Sequence, residues 1–177
     1  MSGPIPLALY MKQCLTSATH GYYTTSPRDP FGPVGDFITS PELTQLFGEM
    51  LALWILTEWL GQGRVRSGVV LMELGPGKGT LMADVLRTLR SFPDMQHAVS
   101  RVVLVEASPR LREAQRSLLC GDCGTAASGG QENEAKGWEE LENGWKARAK
   151  GEFGGMEIQW YEDWDLVPKG MWRMRPT

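Results

Sequence analysis

The run Val69-Val70-Leu71-Met72-Glu73-Leu74, followed at once by Gly75-Pro76-Gly77-Lys78-Gly79, constrains this chain more than any other feature. Almost wholly apolar, the first stretch reads as a strand buried on both faces, the pattern of a parallel sheet. The glycines turn the chain, and from Thr80 to Arg90 the residues Leu81, Met82, Val85, Leu86 and Leu89 recur at helical spacing. Arg87 and Arg90 fall in the last turns, where the helix dipole favours cations. After a Pro-containing loop, Val102-Val103-Leu104-Val105-Glu106 reads as a second strand closed by an acid. Ser108-Pro109 then starts a helix with Leu111, Ala114, Gln115 and Leu118 on one face. Strand, helix, strand, helix is a βαβ unit with a right-handed crossover, and so an α/β fold with a Rossmann-like parallel sheet. Met156-Glu157-Ile158-Gln159-Trp160-Tyr161 alternates as a third strand.

Around this unit the chain changes character. Pro6 to Thr16 predicts a short helix, and the dense Pro, Gly and aromatic residues from 20 to 41 predict an ordered loop without regular helix. Ser40-Pro41-Glu42 predicts a helix start, with the Ser40 hydroxyl as cap, running to about Leu60 before Gly61-Gln62-Gly63. Its stripe of Leu43, Leu46, Phe47, Met50, Leu51, Leu53 and Trp54 is expected in the core. Residues 121–155, polar and Gly-rich, read as an insertion that is largely loop with one helical turn around Trp138 to Trp145. The expected division is a helix-loop-helix extension over 1–62 and a partial cofactor-binding domain over 63–177 that carries this insertion.

Composition excludes several classes. A chain of 177 residues is of single-domain size, and 42% apolar with 22% charged residues describes a globular protein able to bury a core. A net charge of −3 provides no positive field for nucleic acid. The apolar stretch Leu43 to Leu60 is broken by Gln45, Glu49, Thr57 and Glu58, so no membrane span is expected. Three cysteines do not make a disulfide framework, and Cys120-Gly121-Asp122-Cys123 lacks two further ligands at zinc spacing, so no metal is expected. Met1 to Pro6 has neither a basic signal-peptide start nor a presequence character, so a targeting segment is expected to have been removed or never to have been present.

Chemistry concentrates at the ends of the first two strands. Gly75, Gly77 and Gly79 permit a tight turn and close approach of a cofactor to backbone, beside a helix N-terminus. A phosphate-binding P-loop is excluded, because it has four residues between its glycines and a Lys that precedes Ser or Thr, whereas Lys78 precedes Gly79. A dinucleotide site has G-x-G-x-x-G where this loop has G-x-G-x-G. Glu106, 27 positions after Gly79, suits both hydroxyls of a ribose, and the same arrangement serves S-adenosylmethionine, an adenosine without pyrophosphate. A nicotinamide-dependent oxidoreductase is the disfavoured competitor.

Glu73-Leu74-Gly75-Pro76-Gly77-Lys78-Gly79-Thr80-Leu81-Met82 resembles motif I of class I S-adenosylmethionine-dependent methyltransferases. The segments Asp29-Pro30-Phe31-Gly32, Gly35-Asp36-Phe37-Ile38-Thr39-Ser40-Pro41-Glu42 and Phe47-Gly48-Glu49 resemble the N-terminal signature of the MidA-like family, the mitochondrial complex I assembly-factor methyltransferases. Tyr10-Met11, His20-Gly21-Tyr22-Tyr23 and Val105 to Arg112 fit the same pattern. The resemblance implies a protein arginine methyltransferase of the mitochondrial matrix, with S-adenosyl-L-methionine as cofactor and a core subunit of respiratory complex I as protein substrate; a homodimer is compatible with it. It implies that Gly75, Gly77 and Gly79 line the cofactor, Glu106 binds its ribose and Glu73 lies beside its methionine moiety. Asp36, Thr39 and Ser40 would border the active-site mouth, and Asp163 is a candidate for the adenine amine.

The chain departs from the family after Val167-Pro168-Lys169-Gly170, where a fourth strand and a catalytic loop are expected and Met171 to Thr177 stand instead. The expectation is therefore a C-terminally truncated chain without the carboxylates that orient a guanidinium, inactive by itself, its first strand bare along one edge. The alternative is a noncatalytic assembly module that contacts a complex I subunit through the surface around Tyr22, Tyr23, Phe31 and Phe37.

Overall fold

A computed structural model describes residues 3–25, 30–32, 35–121 and 139–170. The central feature is a five-stranded sheet in the order β1-β2-β5-β4-β3. Its strands are β1 (Val69–Leu74), β2 (Val99–Val105), β3 (Glu139–Leu141), β4 (Gly144–Arg148) and β5 (Glu157–Tyr161). Strands β1, β2 and β5 are mutually parallel, with Leu74 opposite Val105 and Val105 opposite Tyr161, so their C-terminal ends line up along one rim. Among the described residues β1 pairs only with β2.

Strand β2 is apolar on both faces in its C-terminal half: Val102 and Leu104 point to one side and Val103 to the other, and all three are fully buried. One side carries the main core, in which Leu86, Leu89, Met95, Leu119, Phe153, Ile158 and Trp160 are all but inaccessible. It is roofed by α5 (Thr80–Leu89) and α7 (Pro109–Cys120), with α4 (Gln45–Gly61) packed in turn on α5. The other side holds a smaller cluster of Val103, Tyr161 and Val167, flanked by half-buried Val70 and Met72.

Several sequence expectations need correction. The segment 139–148 is not a helical turn but an antiparallel hairpin that extends the sheet, its Trp145 opposite Trp160. Glu142 and Asn143 form its two-residue turn, between Leu141 and Gly144. A side chain at Gly144 would put its Cβ 2.2 Å from the Trp160 carbonyl oxygen, so the hairpin docks on β5 only because this position has none. Trp138 and the insertion from 122 to 138 lie outside the described residues. The Pro-containing loop before β2 holds a short helix, α6 (Pro93–Ala98), with Pro at its first position and Asp94 in its first turn, and β2 begins at Val99 rather than Val102.

The N-terminal segments also differ in detail. Helix α1 (Leu7–Thr16) is where the pattern placed it, though none of its residues is buried. A single turn, α2 (Tyr22–Thr25), interrupts the expected loop. The helix expected from Ser40 onward is two, α3 (Ser40–Leu43) and α4, broken at Thr44, whose extended backbone (φ −158°, ψ 133°) lets its side chain accept the Leu46 amide at 3.3 Å and cap α4. Thr39, not Ser40, occupies the cap position of α3, and no side chain bonds there.

The largest correction concerns the face of α4. Its buried residues are Gly48, Ala52 and Trp59, with Leu51, Ile55 and Leu56 half-buried against the core. Leu43, Leu46, Phe47, Met50, Leu53 and Trp54, expected in the core, are exposed. Helix α4 crosses α5 at Gly48, where a Cβ would lie 2.4 Å from the Asp84 Cβ, and so close an approach turns the small residues inward. The helix is apolar around nearly its whole circumference, so periodicity alone names no inner face.

Candidate functional site

The glycine loop sits where the rim of the parallel strands meets the start of α5. Gly75, Gly77 and Gly79 have φ of 65°, 56° and 86°, a left-handed backbone that residues with a Cβ adopt only under strain. The Gly75 amide donates to the Val105 carbonyl (2.9 Å) and the Gly79 amide to Pro76 (2.8 Å), so β1 leads into a closed turn. Gly77 also faces Phe31, whose ring would be 3.6 Å from a Cβ there. Gln115, fully buried on α7, holds the loop from behind: its Nε2 donates to the Gly77 carbonyl at 2.6 Å while its Oε1 accepts the Trp160 indole N–H at 3.0 Å. One amide thus ties the loop, α7 and β5 together.

Glu106 follows β2 on the same rim. Its Oε1 accepts the Ser108 amide at 2.9 Å. Burial pushes its carboxyl up, opposed by the Ser108 amide and the nearby Arg112 guanidinium. Arg112 is itself buried, donating to the Glu106 carbonyl (2.8 Å) and to Glu162 (2.8 Å) while its guanidinium lies 4.7 Å over the Trp145 ring. The antiparallel hairpin therefore reaches the site through Trp145.

A cleft of about 540 Å³, within the range of cofactor pockets, runs along this rim. Gly75, Gly77, Glu106 and Leu111 form its floor and far wall. Its near wall is N-terminal: Met11 and Lys12 of α1, with Tyr23 and Phe31, whose rings stack at 5.9 Å. Phe31 is held by the Lys78 ammonium, which donates to its carbonyl at 2.7 Å, and by main-chain bonds that pair residues 30–32 with Phe37. Asp163 lines the cleft with one oxygen accepting Lys12 at 3.0 Å and the other the Asp165 amide at 3.2 Å. Both of its oxygens are engaged, which weighs against the adenine role.

A second, smaller cavity of about 140 Å³ opens on the other side of the loop and shares Phe31, Gly75 and Gly77 with the cleft. Glu42, Glu73, Thr39 and Lys78 line it. Glu73, on β1, is driven up to about 7 by burial.

The sequence-derived candidates therefore do not all meet. Gly75, Gly77 and Glu106 share the cleft, Gly79 closes the turn behind it, and Glu73 and Thr39 face the smaller cavity. Asp36 is exposed and accepts the Tyr22 hydroxyl, an interaction that lifts the phenol to about 12, and it lines neither hollow. Ser40 starts α3 and is exposed. His20 bonds to neighbouring Thr19 at 2.8 Å in an exposed turn. Among the described residues no group of three metal-ligating side chains occurs, and the Cys120 thiol is pushed to about 12 by burial, while Cys123 lies outside them. No helix among the described residues is long and apolar enough to cross a membrane.

Sequence reasoning gave Gln115, Lys78, Glu42 and Lys12 no role in the site. Gln115 alone carried a signal, as an amide on the apolar face of an amphipathic helix, where a buried polar group needs partners. The other three act across more than thirty residues of separation, which spacing does not reveal.

A glycine loop after a parallel strand, with an acid closing the next strand over one cleft, defines a Rossmann-like α/β protein with a nucleoside-type cofactor site. The family described as "Putative S-adenosyl-L-methionine-dependent methyltransferase" matches residues 50–173, and the chain belongs to that family. It is 48% identical over 119 residues to a Drosophila melanogaster protein, the protein arginine methyltransferase NDUFAF7 homolog, mitochondrial, covering 67% of this chain and 26% of that one. Against the human protein arginine methyltransferase NDUFAF7, mitochondrial, identity is 39% over 171 residues, or 96% of this chain and 35% of that one. The chain thus spans about a quarter to a third of the length of the curated relatives it matches. A Burkholderia thailandensis crystal structure with bound S-adenosyl-homocysteine shares the fold, with a TM-score of 0.54 and 23% identity over 88% of this chain and 44% of that one.

Proposed function

We propose that this chain is the cofactor-binding portion of a protein arginine methyltransferase, taking S-adenosyl-L-methionine into the 540 Å³ cleft. The observation that carries the reading is the convergence of Gly75, Gly77 and Glu106 on that one cleft. The glycine loop brings backbone close to the cofactor without side chains in the way, and Glu106 accepts the ribose hydroxyls from the neighbouring strand end. Glu73 is assigned to the methionine end, from the smaller cavity that shares Phe31, Gly75 and Gly77 with the cleft. Tyr23 and Phe31 give the cleft an aromatic wall that excludes water.

Methyl transfer moves the sulfonium methyl to a guanidinium nitrogen and leaves S-adenosyl-homocysteine. That activity, the arginine of a complex I core subunit as acceptor and a place in the mitochondrial matrix are proposals for the whole protein, supported by the names of its relatives. The exposed row Leu46, Phe47, Met50 and Trp54 on α4 favours a second role as a contact surface, for a subunit under assembly or for a second copy.

Glu106→Ala tests the assignment. It should weaken S-adenosyl-homocysteine binding by roughly tenfold or more through loss of charge-assisted hydrogen bonds to the ribose. Unchanged affinity would remove the cofactor from this cleft.

A further inference from the structure

Arg112 has no task in the proposed function, yet it is only 6% exposed on α7. Taking a guanidinium out of water is costly unless its donors and its charge are both met. They are met at the rim of the cofactor cleft. Nη1 donates to the carbonyls of Glu106 (2.8 Å) and Ala107 (3.2 Å), in the turn by which the chain passes from β2 to α7. Nη2 donates to Glu162 Oε1 at 2.8 Å, directly after β5. The indole of Trp145, on β4, lies 4.7 Å from the guanidinium carbon and replaces water on that side.

These partners bear on Glu106. Glu106 and Glu162 both line the cleft, and the guanidinium is tied to the backbone of the first and the carboxylate of the second. A buried glutamate favours its neutral form, whose O–H takes the place of an acceptor that a ribose hydroxyl needs. Burial raises the Glu106 carboxyl, and the groups that oppose it are the Ser108 and Ala107 amides, the Gln115 side chain and Arg112. Of these only Arg112 carries a positive charge. Among the other charged groups on the cleft, Lys12 and Asp163 pair with each other at 3.0 Å, while Glu73 opens on the smaller cavity.

We propose that Arg112 is the positioning residue for the ribose, fixing the strand end that carries Glu106 and setting a positive charge beside its carboxylate. The assignment rests on the cofactor reading of the cleft and adds to it a side chain that stands behind the cleft wall. Glu162 moderates the effect, since a carboxylate 2.8 Å from the guanidinium offsets part of its field at Glu106.

The test is the preference for adenosine over its dideoxy counterpart, which lacks both ribose hydroxyls, measured by calorimetry across about pH 4–8. Protonation of groups that affect the two nucleosides alike cancels in that ratio. On the unsubstituted chain adenosine should bind roughly tenfold or more tightly at neutral pH, and the preference should fall as Glu106 takes up a proton. Arg112→Met should move that fall upward by about one pH unit or more, and Arg112→Lys, which keeps the charge, should move it less. Glu162→Gln keeps an oxygen for the guanidinium and removes the opposing charge, so it should move the fall downward by a few tenths of a unit or more. Glu162 is half-exposed, so this variant decides if Arg112→Met does not fold. An unmoved fall in a folded Arg112→Met chain, or an unmoved or upward one in Glu162→Gln, would overturn the positioning role and leave the cofactor reading standing. So would an unsubstituted chain that binds S-adenosyl-homocysteine but shows no preference between the nucleosides. An unsubstituted chain that binds no S-adenosyl-homocysteine would bring down the cofactor reading and this role with it.

Discussion

Replacing Gln115 by Met separates the bonds of that residue from its bulk, since the thioether fills similar space and keeps neither hydrogen bond. Gln115 and Trp160 are both fully buried, so the substitution leaves the indole N–H without an acceptor and the Gly77 carbonyl without its donor. An orphaned buried donor costs ~1–3 kcal/mol, and a neutral hydrogen bond contributes ~0.5–1.5 kcal/mol net, so the loss should fall at about 2–4 kcal/mol. At ~2–4 °C per kcal/mol for a chain of this size, the thermal midpoint should drop by roughly 5–15 °C. Urea denaturation of Gln115→Met, Trp160→Phe and the double variant measures it. Phe at 160 removes the stranded donor, so the double variant should be ~1–2 kcal/mol more stable than the two single losses added together. Strict additivity, or a Gln115→Met chain within ~0.5 kcal/mol of the parent, would refute the bridging role of this amide.

Other perturbations have equally definite outcomes. Gly77→Val puts a branched side chain at φ 56° facing Phe31 and should raise the S-adenosyl-homocysteine dissociation constant by roughly tenfold or more; equal affinity by calorimetry would displace the site. Because burial raises Glu73, the folded chain binds its proton more tightly than the unfolded chain does. Stability from this group is therefore full below the ordinary value of 4.5 and is lost as the pH rises to about 7, a change of order 3 kcal/mol. Glu73→Gln should flatten that slope in urea melts taken across the window, and an unchanged slope would place the titration elsewhere. Lys12→Met removes the exposed bridge to Asp163, and should speed proteolysis within α1 while leaving the thermal midpoint where it was. Leu46→Glu with Trp54→Glu on the exposed face of α4 should lower light scattering at high protein concentration; equal scattering would mean that this face does not mediate self-association.

What the sequence made legible follows from range. The β1-loop-α5 unit, β2 with its terminal acid and β5 are written in consecutive residues, because a strand buried on both faces is apolar throughout and a glycine turn needs its glycines in place. The glycines and Glu106 were readable for the same reason. The inner face of α4 was not, since the helix is apolar all round and Gly48 against Asp84 decides which side turns in. The hairpin had a local sign in Asn143-Gly144, obscured by the polar residues before it. Gln115 to Gly77, Lys78 to Phe31 and Lys12 to Asp163 bridge residues far apart in sequence, which no motif encodes. The smaller cavity depends on α3 lying across the loop from β1, a tertiary fact, although Glu42 and Glu73 were both in view as parts of motifs.

The cleft above the glycine loop is proposed to take an adenosine cofactor without pyrophosphate. Isothermal titration of this chain with S-adenosyl-L-methionine, with NADH titrated in parallel, tests it most directly. Saturable binding of S-adenosyl-L-methionine near one per chain, with no heat from NADH, is the expected result. Binding of NADH alone, or of neither by a chain folded by circular dichroism, would contradict it.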